Sequence, residues 1–132
     1  MRGEKNLATL LKTMQPVLNE GDYVFCAVAS TESIDQRQIL GSFREKEACT
    51  VIIKKEFADS LQFPYTFVAA WITLTVHSSL NAVGLTAAFA GALSKENISC
   101  NVVAGYYHDH IFVKKEDAAL AMQTLHRLSA GE

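Results

Sequence analysis

The chain has 132 residues, with 12 Lys plus Arg against 14 Asp plus Glu and a formal net charge of -2. Hydrophobic residues make up 49% and charged residues 20%, a globular composition that excludes a disordered chain and can bury a core without disulfides. The lack of a basic surplus argues against a nucleic-acid binder that works by neutralising phosphates.

The first six residues, Met1 to Asn6, lead into no apolar run of signal-peptide length, so export is not expected. The most apolar stretch, Phe63 to Val76, is interrupted by Pro64 and three threonines. It falls short of the roughly 20 residues a membrane span needs. Cys26, Cys49 and Cys100 are far apart and odd in number, which suits small core residues of a cytoplasmic protein rather than a disulfide framework.

In chain order, Leu7, Leu10, Leu11 and Met14 recur at helical spacing, and Pro16 and Gly21 close that segment. Tyr23 to Ala29 is apolar on both faces and reads as a strand covered on both sides. Thr31 to Gln38 reads as loop. Ile39 to Phe43 and Ala48 to Lys54 form a hairpin around the charged turn Arg44 to Glu47, and a short helix follows at Glu56 to Leu61. Pro64 marks a boundary. Thr66 to Val76 then alternates: Val68, Ala70, Ile72, Leu74 and Val76 share one face, and Trp71, Thr73 and Thr75 the other. The polar turn from His77 to Ala82 leads into a helix capped by Asn81 or Ser79, with Leu85, Phe89, Ala92 and Leu93 as its stripe and Asn97 as its stop. Ile98 to Tyr106 is a strand, Tyr107-His108 a turn, and Asp109 to Val113 a returning strand. Ala118, Met122 and Leu125 line a last helix.

The second half thus runs strand, helix, strand, strand, helix. Two helices with single apolar stripes belong on one face of an antiparallel sheet, an α+β arrangement. One more strand would make it ferredoxin-like, and either the first half or a second copy must supply it. A short repeat supports two related units. Ile52-Ile53-Lys54-Lys55-Glu56-Phe57-Ala58 matches Phe112-Val113-Lys114-Lys115-Glu116-Asp117-Ala118 at a spacing of 60 residues.

The stretch Val76-His77-Ser78-Ser79-Leu80-Asn81-Ala82-Val83-Gly84-Leu85, then Ala92-Leu93, then Asn97-Ile98-Ser99-Cys100-Asn101-Val102 resembles an ACT domain, and Asp109 to Asp117 resembles its third strand and the start of its second helix. The variant is closest to the aspartokinase type and to the stand-alone tandem ACT proteins related to the cytosolic arginine sensor CASTOR. The resemblance implies a divergent ACT-like unit over residues 1–63 and an ACT domain over 64–132. It also implies a regulatory, non-enzymatic protein that binds an amino acid between ACT units. By position, the ligand loop is His77, Ser78, Leu80, Asn81, Val83, Gly84 and Leu85, and the neighbouring strand gives Ser99, Asn101 and Val102. Many ACT domains carry an Asp in this loop to hold a ligand's amino group; here Asn81 stands in that neighbourhood.

Other readings are weaker on chemical grounds. His77-Ser78 has no third group to hold a base and no G-x-S-x-G motif, so no catalytic residue is expected. His108 and His110 point the same way on a strand, but a metal needs a third ligand, so neither a metal nor another cofactor is expected. Tyr106 and Tyr107 lack the basic surroundings of a nucleic-acid platform. Gly84, Ala87, Ala88, Gly91 and Ala92 make one side of the middle helix small, which suits close packing or a homodimer interface. The alternative function is a protein-interaction or oligomerisation module with a degenerate ligand site, capturing a regulated partner.

Overall fold

The computed structural model describes residues 7–75 and 84–131. It holds two compact units, one drawn from residues 1–20 and 70–132, the other being Gly21–Ala69.

The larger unit contains α1 (Leu7–Thr13), β1 (Gln15–Leu18), most of β5 (Ala69–Thr75), α3 (Leu85–Lys95), β6 (Cys100–Ala104), β7 (Asp109–Lys114) and α4 (Ala118–Ser129). Its strands lie in the order β1-β5-β7-β6. β1 runs antiparallel to β5 with Gln15 opposite Thr75 and Leu18 opposite Ile72, and β6 pairs with β7 from Cys100–Val113 to Ala104–Asp109. Read as β5-α3-β6-β7-α4 with β1 as the fourth strand, this is the ferredoxin-like unit. The missing strand comes from the N-terminal segment.

One sheet face carries the core. Ala70, Ile72, Leu74, Ile111 and Val113 meet Leu85, Phe89 and Leu93 of α3, Ala118, Ala121 and Leu125 of α4, and Leu10 and Met14. Alternation along each strand puts these residues on one side. Phe89, Leu10, Met14, Ile72, Leu74, Leu93, Ile111 and Leu125 are among the largest fully buried side chains. The α3 stripe matches the 3.6-residue period, and the helix ends where Asn97 takes φ 60 and the Ile98 amide donates to Leu93 O. This is the expected stop.

The smaller unit contains β2 (Tyr23–Val28), a loop with a 3-10 turn at Gln36–Gln38, β3 (Ile39–Arg44), β4 (Cys49–Lys54) and α2 (Lys55–Ser60). β4 lies between β2 and β3, antiparallel to both, and Ala69 pairs with Tyr23. Val24, Cys26, Val51, Ile53 and Ala58 form its core. The Asp35 carboxylate accepts from the Arg37 amide at 3.0 Å and caps the 3-10 turn, so the segment expected as loop has one ordered turn.

The 60-residue repeat has a structural counterpart. β4 ends at Lys54 and β7 at Lys114, both with extended backbone, and each passes directly into helical structure. Val51 and Ile53 are buried in one unit as Ile111 and Val113 are in the other.

Two local expectations need correction. β1 was not expected: Pro16 and Gly21 read as helix closers, yet Pro16 lies within an edge strand, where its missing N–H costs little. The described α3 starts at Leu85 with Gly84 as its N-cap, and the expected caps Asn81 and Ser79 lie outside the described residues. The turn after β6 is at Tyr106-Tyr107, closed by the Gly105 amide donating to His108 O at 2.9 Å. The compact units also cut the chain differently from a division between residues 63 and 64, because β1 and α1 pack with the C-terminal half.

The three cysteines are free thiols. Cys26 belongs to one core, Cys49 packs against that core, and Cys100 packs against the other. Burial, joined at Cys26 by the Asp59 carboxylate, pushes the Cys26 and Cys100 thiols above their ordinary pKa, which disfavours the reactive thiolate.

Candidate functional site

His77, Ser78, Leu80, Asn81 and Val83 lie outside the described residues. Gly84, the first described residue after them, takes φ 96, a left-handed conformation, and caps α3. Glycine suits this position because an L side chain is strained there. A Cβ would also meet Leu7 Cδ2 at 3.3 Å. Having no side chain, Gly84 offers no hydroxyl or carboxylate to the amides of the first turn, which are the natural anion acceptors of a helix start. Gly84→Ala is expected to cost about 1–2 kcal/mol, read as a lower urea midpoint with an unchanged slope.

The other expected residues scatter. Leu85 is buried in the core, and Val102 packs against it from β6. Asn101 projects to the opposite sheet face, across from Phe112. Ser99 precedes β6 and, with Ser94, Asn97, Lys114 and Asp117, lines an open polar cavity of about 390 Å³. That cavity sits at the C-terminal end of α3, about 16 Å along the helix from Gly84 at 1.5 Å per residue. Within this unit the length of the helix therefore separates Ser99 from Gly84.

A hydrogen-bonded cluster absent from the sequence-based site lies on the helix-free face of the same sheet. The Asn19 side-chain amide donates to Thr73 Oγ1 at 2.9 Å and to Trp71 O at 3.3 Å. Trp71 Nε1–H donates to His110 Nδ1 at 3.1 Å, and Thr73 Oγ1 lies 3.1 Å from the same nitrogen. Trp71 also stacks on Phe112, with centroids 6.5 Å apart and planes 17° apart, and its ring meets His110 at 5.8 Å. Thr73 is 8% exposed.

The indole can only donate, so Nδ1 must accept and the proton of the neutral ring sits on Nε2. Neither nitrogen of His110 then offers a free lone pair to a metal. Among the described residues no group of three His, Cys, Asp or Glu is placed to hold a metal ion. Burial, and then the neighbouring His108, pull the His110 pKa below the usual imidazole value, against an opposing pull from Asp109. Burial raises the Asp109 carboxyl, with both histidines acting against it. His108 Nδ1 is buried without a hydrogen-bond partner among the described residues. Alternation along β5 had already placed Trp71 beside Thr73; Asn19 was missed because its position depends on β1.

The small side of α3 lies open. Ala87, Ala88, Gly91 and Ala92 line a groove of about 660 Å³ with Thr124, Arg127 and Leu128 of α4. A Cβ on Gly91 would meet nothing within 4 Å. No helix among the described residues is long and apolar enough to cross a membrane.

Comparison with known proteins places this geometry in a family. Models described as ACT domain match residues 2–70 and residues 67–127. Among curated protein sequences none matches. Among solved structures, a Vibrio cholerae protein described as of unknown function and as a possible transport protein is 47% identical, with a TM-score of 0.86 over 95% of this chain and 97% of its own. An Agrobacterium tumefaciens protein shares 15% identity at a TM-score of 0.70, covering 88% of this chain and 89% of its own. The ligand-free regulatory subunit of aspartate kinase from Thermus thermophilus shares 10% identity at a TM-score of 0.63, covering 88% and 96%. The last two are likenesses of fold.

Proposed function

Because the chain belongs to the ACT-domain family, with two ACT domains in tandem, we propose that it is a cytoplasmic regulatory protein that binds an amino acid and catalyses nothing. ACT domains are typically regulatory ligand-binding modules. The ligand would lie at an interface between ACT units, held by His77, Ser78, Leu80, Asn81, Val83, Gly84 and Leu85 and by Ser99, Asn101 and Val102. The observation that carries this reading is Gly84 at φ 96, at the start of an 11-residue helix. A carboxylate there would meet helix-start amides and the positive end of the helix dipole. Asn81 would hold the amino group by a neutral hydrogen bond, weaker than the usual Asp would make.

Homodimerisation would couple the ligand to a partner protein through differential affinity for two states. The groove beside Gly91 favours a second reading, a protein-interaction module with a degenerate ligand site.

A thermal-shift screen against the common amino acids separates the two. A ligand at 100 times its Kd adds about 2.7 kcal/mol, a rise of several degrees. Asn81→Ala should shrink that rise while the unliganded melting point stays put. A flat screen at millimolar concentrations of every amino acid removes the sensor reading and leaves the interaction module.

A further inference from the structure

The Asn19–Thr73–His110–Trp71 cluster has a property that neither its packing nor an amino-acid site requires. Its central bond depends on a lone pair. Trp71 Nε1 carries a hydrogen at every accessible pH, and it points that hydrogen at His110 Nδ1 from 3.1 Å. His110 Nε2 already holds the proton of the neutral ring. A second proton must therefore bind at Nδ1, where the indole N–H stands, and the two cannot share the site. Thr73 Oγ1 at 3.1 Å from Nδ1 is the acceptor available to a protonated ring, and its hydroxyl can turn its lone pairs toward it.

We infer that Trp71, Thr73 and His110 form a proton-operated latch on the helix-free sheet face: closed on the neutral ring, and opened when His110 gains a proton and hands its Nδ1–H to Thr73. Opening breaks the bond from the indole N–H to Nδ1, beside the Phe112 ring on which the indole stacks. It therefore exchanges one side-chain bond between β5 and β7 for another on the face opposite the core.

Within electrostatic reach of the ring are His108 and Asp109 of the same hairpin. Among the described residues, Trp71, Thr73, Val103 and Gly105 meet it from β5, β6 and the turn, and none of these four titrates in the relevant range. The direction follows from burial. The neutral form is preferred in the folded chain, so the ring lies below its ordinary value of 6.5. The latch then contributes its full stability above pH 6.5 and loses it as pH falls through the lower folded value.

The chain has one tryptophan, so its indole resonance reports the latch alone. At pH 7.5, ring ¹⁵N shifts of His110 should show the Nε2–H tautomer. Acidification should move the Trp71 Nε1–H resonance in one step with a midpoint below pH 6.5, before far-UV circular dichroism changes. His110→Gln should abolish the step. Asp109→Asn should lower the midpoint, and His108→Gln should raise it. A Nδ1–H tautomer, an indole resonance flat from pH 7.5 to 4.5, a step that survives His110→Gln, or one abolished by Asp109→Asn would overturn the latch. If His110→Gln does not fold, the tautomer and the Asp109→Asn titration decide.

Discussion

A chain that begins at Gly21 is expected to lose the cooperative unfolding of its larger unit. Residues before Gly21 supply Leu10 at 0% and Met14 at 1% exposure, both within the core of that unit. Burying two such side chains contributes about 3–6 kcal/mol together. The same segment carries β1, which covers one edge of β5 from Thr75 to Ile72. It also accepts a hydrogen bond at Met14 O from the Ser129 hydroxyl at 2.9 Å. Total stabilities of domains are about 5–15 kcal/mol, so the loss is comparable with the whole. The fragment 64–132, which the sequence resemblance implies is an ACT domain, lacks the same segment and should fail in the same way, with a broad thermal transition and poorly dispersed amide resonances. Either fragment melting sharply near the full-length midpoint would show that β1 and α1 are accessories.

Phe89→Ala is expected to destabilise the larger unit by about 3–5 kcal/mol, among the largest single-residue effects in the chain. Phe89 is fully buried and sits one turn from both Leu85 and Leu93 on the stripe of α3. Truncating it removes the aromatic ring and leaves a cavity walled by the sheet, whose strands are held by their own hydrogen bonds and relax little. The melting point should fall by more than about 10 °C at 4–8 °C per kcal/mol for a unit of this size. Leu120→Ala, on the outer side of α4 at 37% exposure, should move it far less. Equal effects from the two would mean that α3 is not seated on the sheet as described.

Much of the fold was legible because its signals are local. The alternation of Ala70, Ile72 and Leu74 gives a strand, although Val68 falls before it and packs on the other core; the 3–4 spacing of Leu85, Phe89 and Leu93 gives a helix, and Asn97 ends it at positive φ. The ACT pattern from Val76 to Val102 reached the family, which the matches over 2–70 and 67–127 show. The candidate site was less legible. Gly84 stands where its backbone demands glycine, whereas Leu85 and Val102 are core residues and Ser99 lines a cavity at the other end of α3.

What the sequence determined by itself is the alternation of faces, the helix stripes, the repeat of a strand end, Lys-Lys-Glu and a helix, and the family. All of these follow from periods of 2 and 3.6 residues or from short contiguous motifs. What only the tertiary structure decided is which strand completes the second unit and which side chains meet on its helix-free face. Gln15–Leu18 is four residues long and contains a proline, so nothing local marks it as a strand; it is one because β5 offers it an open edge. Asn19 and Thr73 are 54 residues apart and His110 is 37 beyond Thr73. Strand pairing brings them to one place, and pairing between distant segments is a property of the folded chain, with no period or motif in the sequence to announce it.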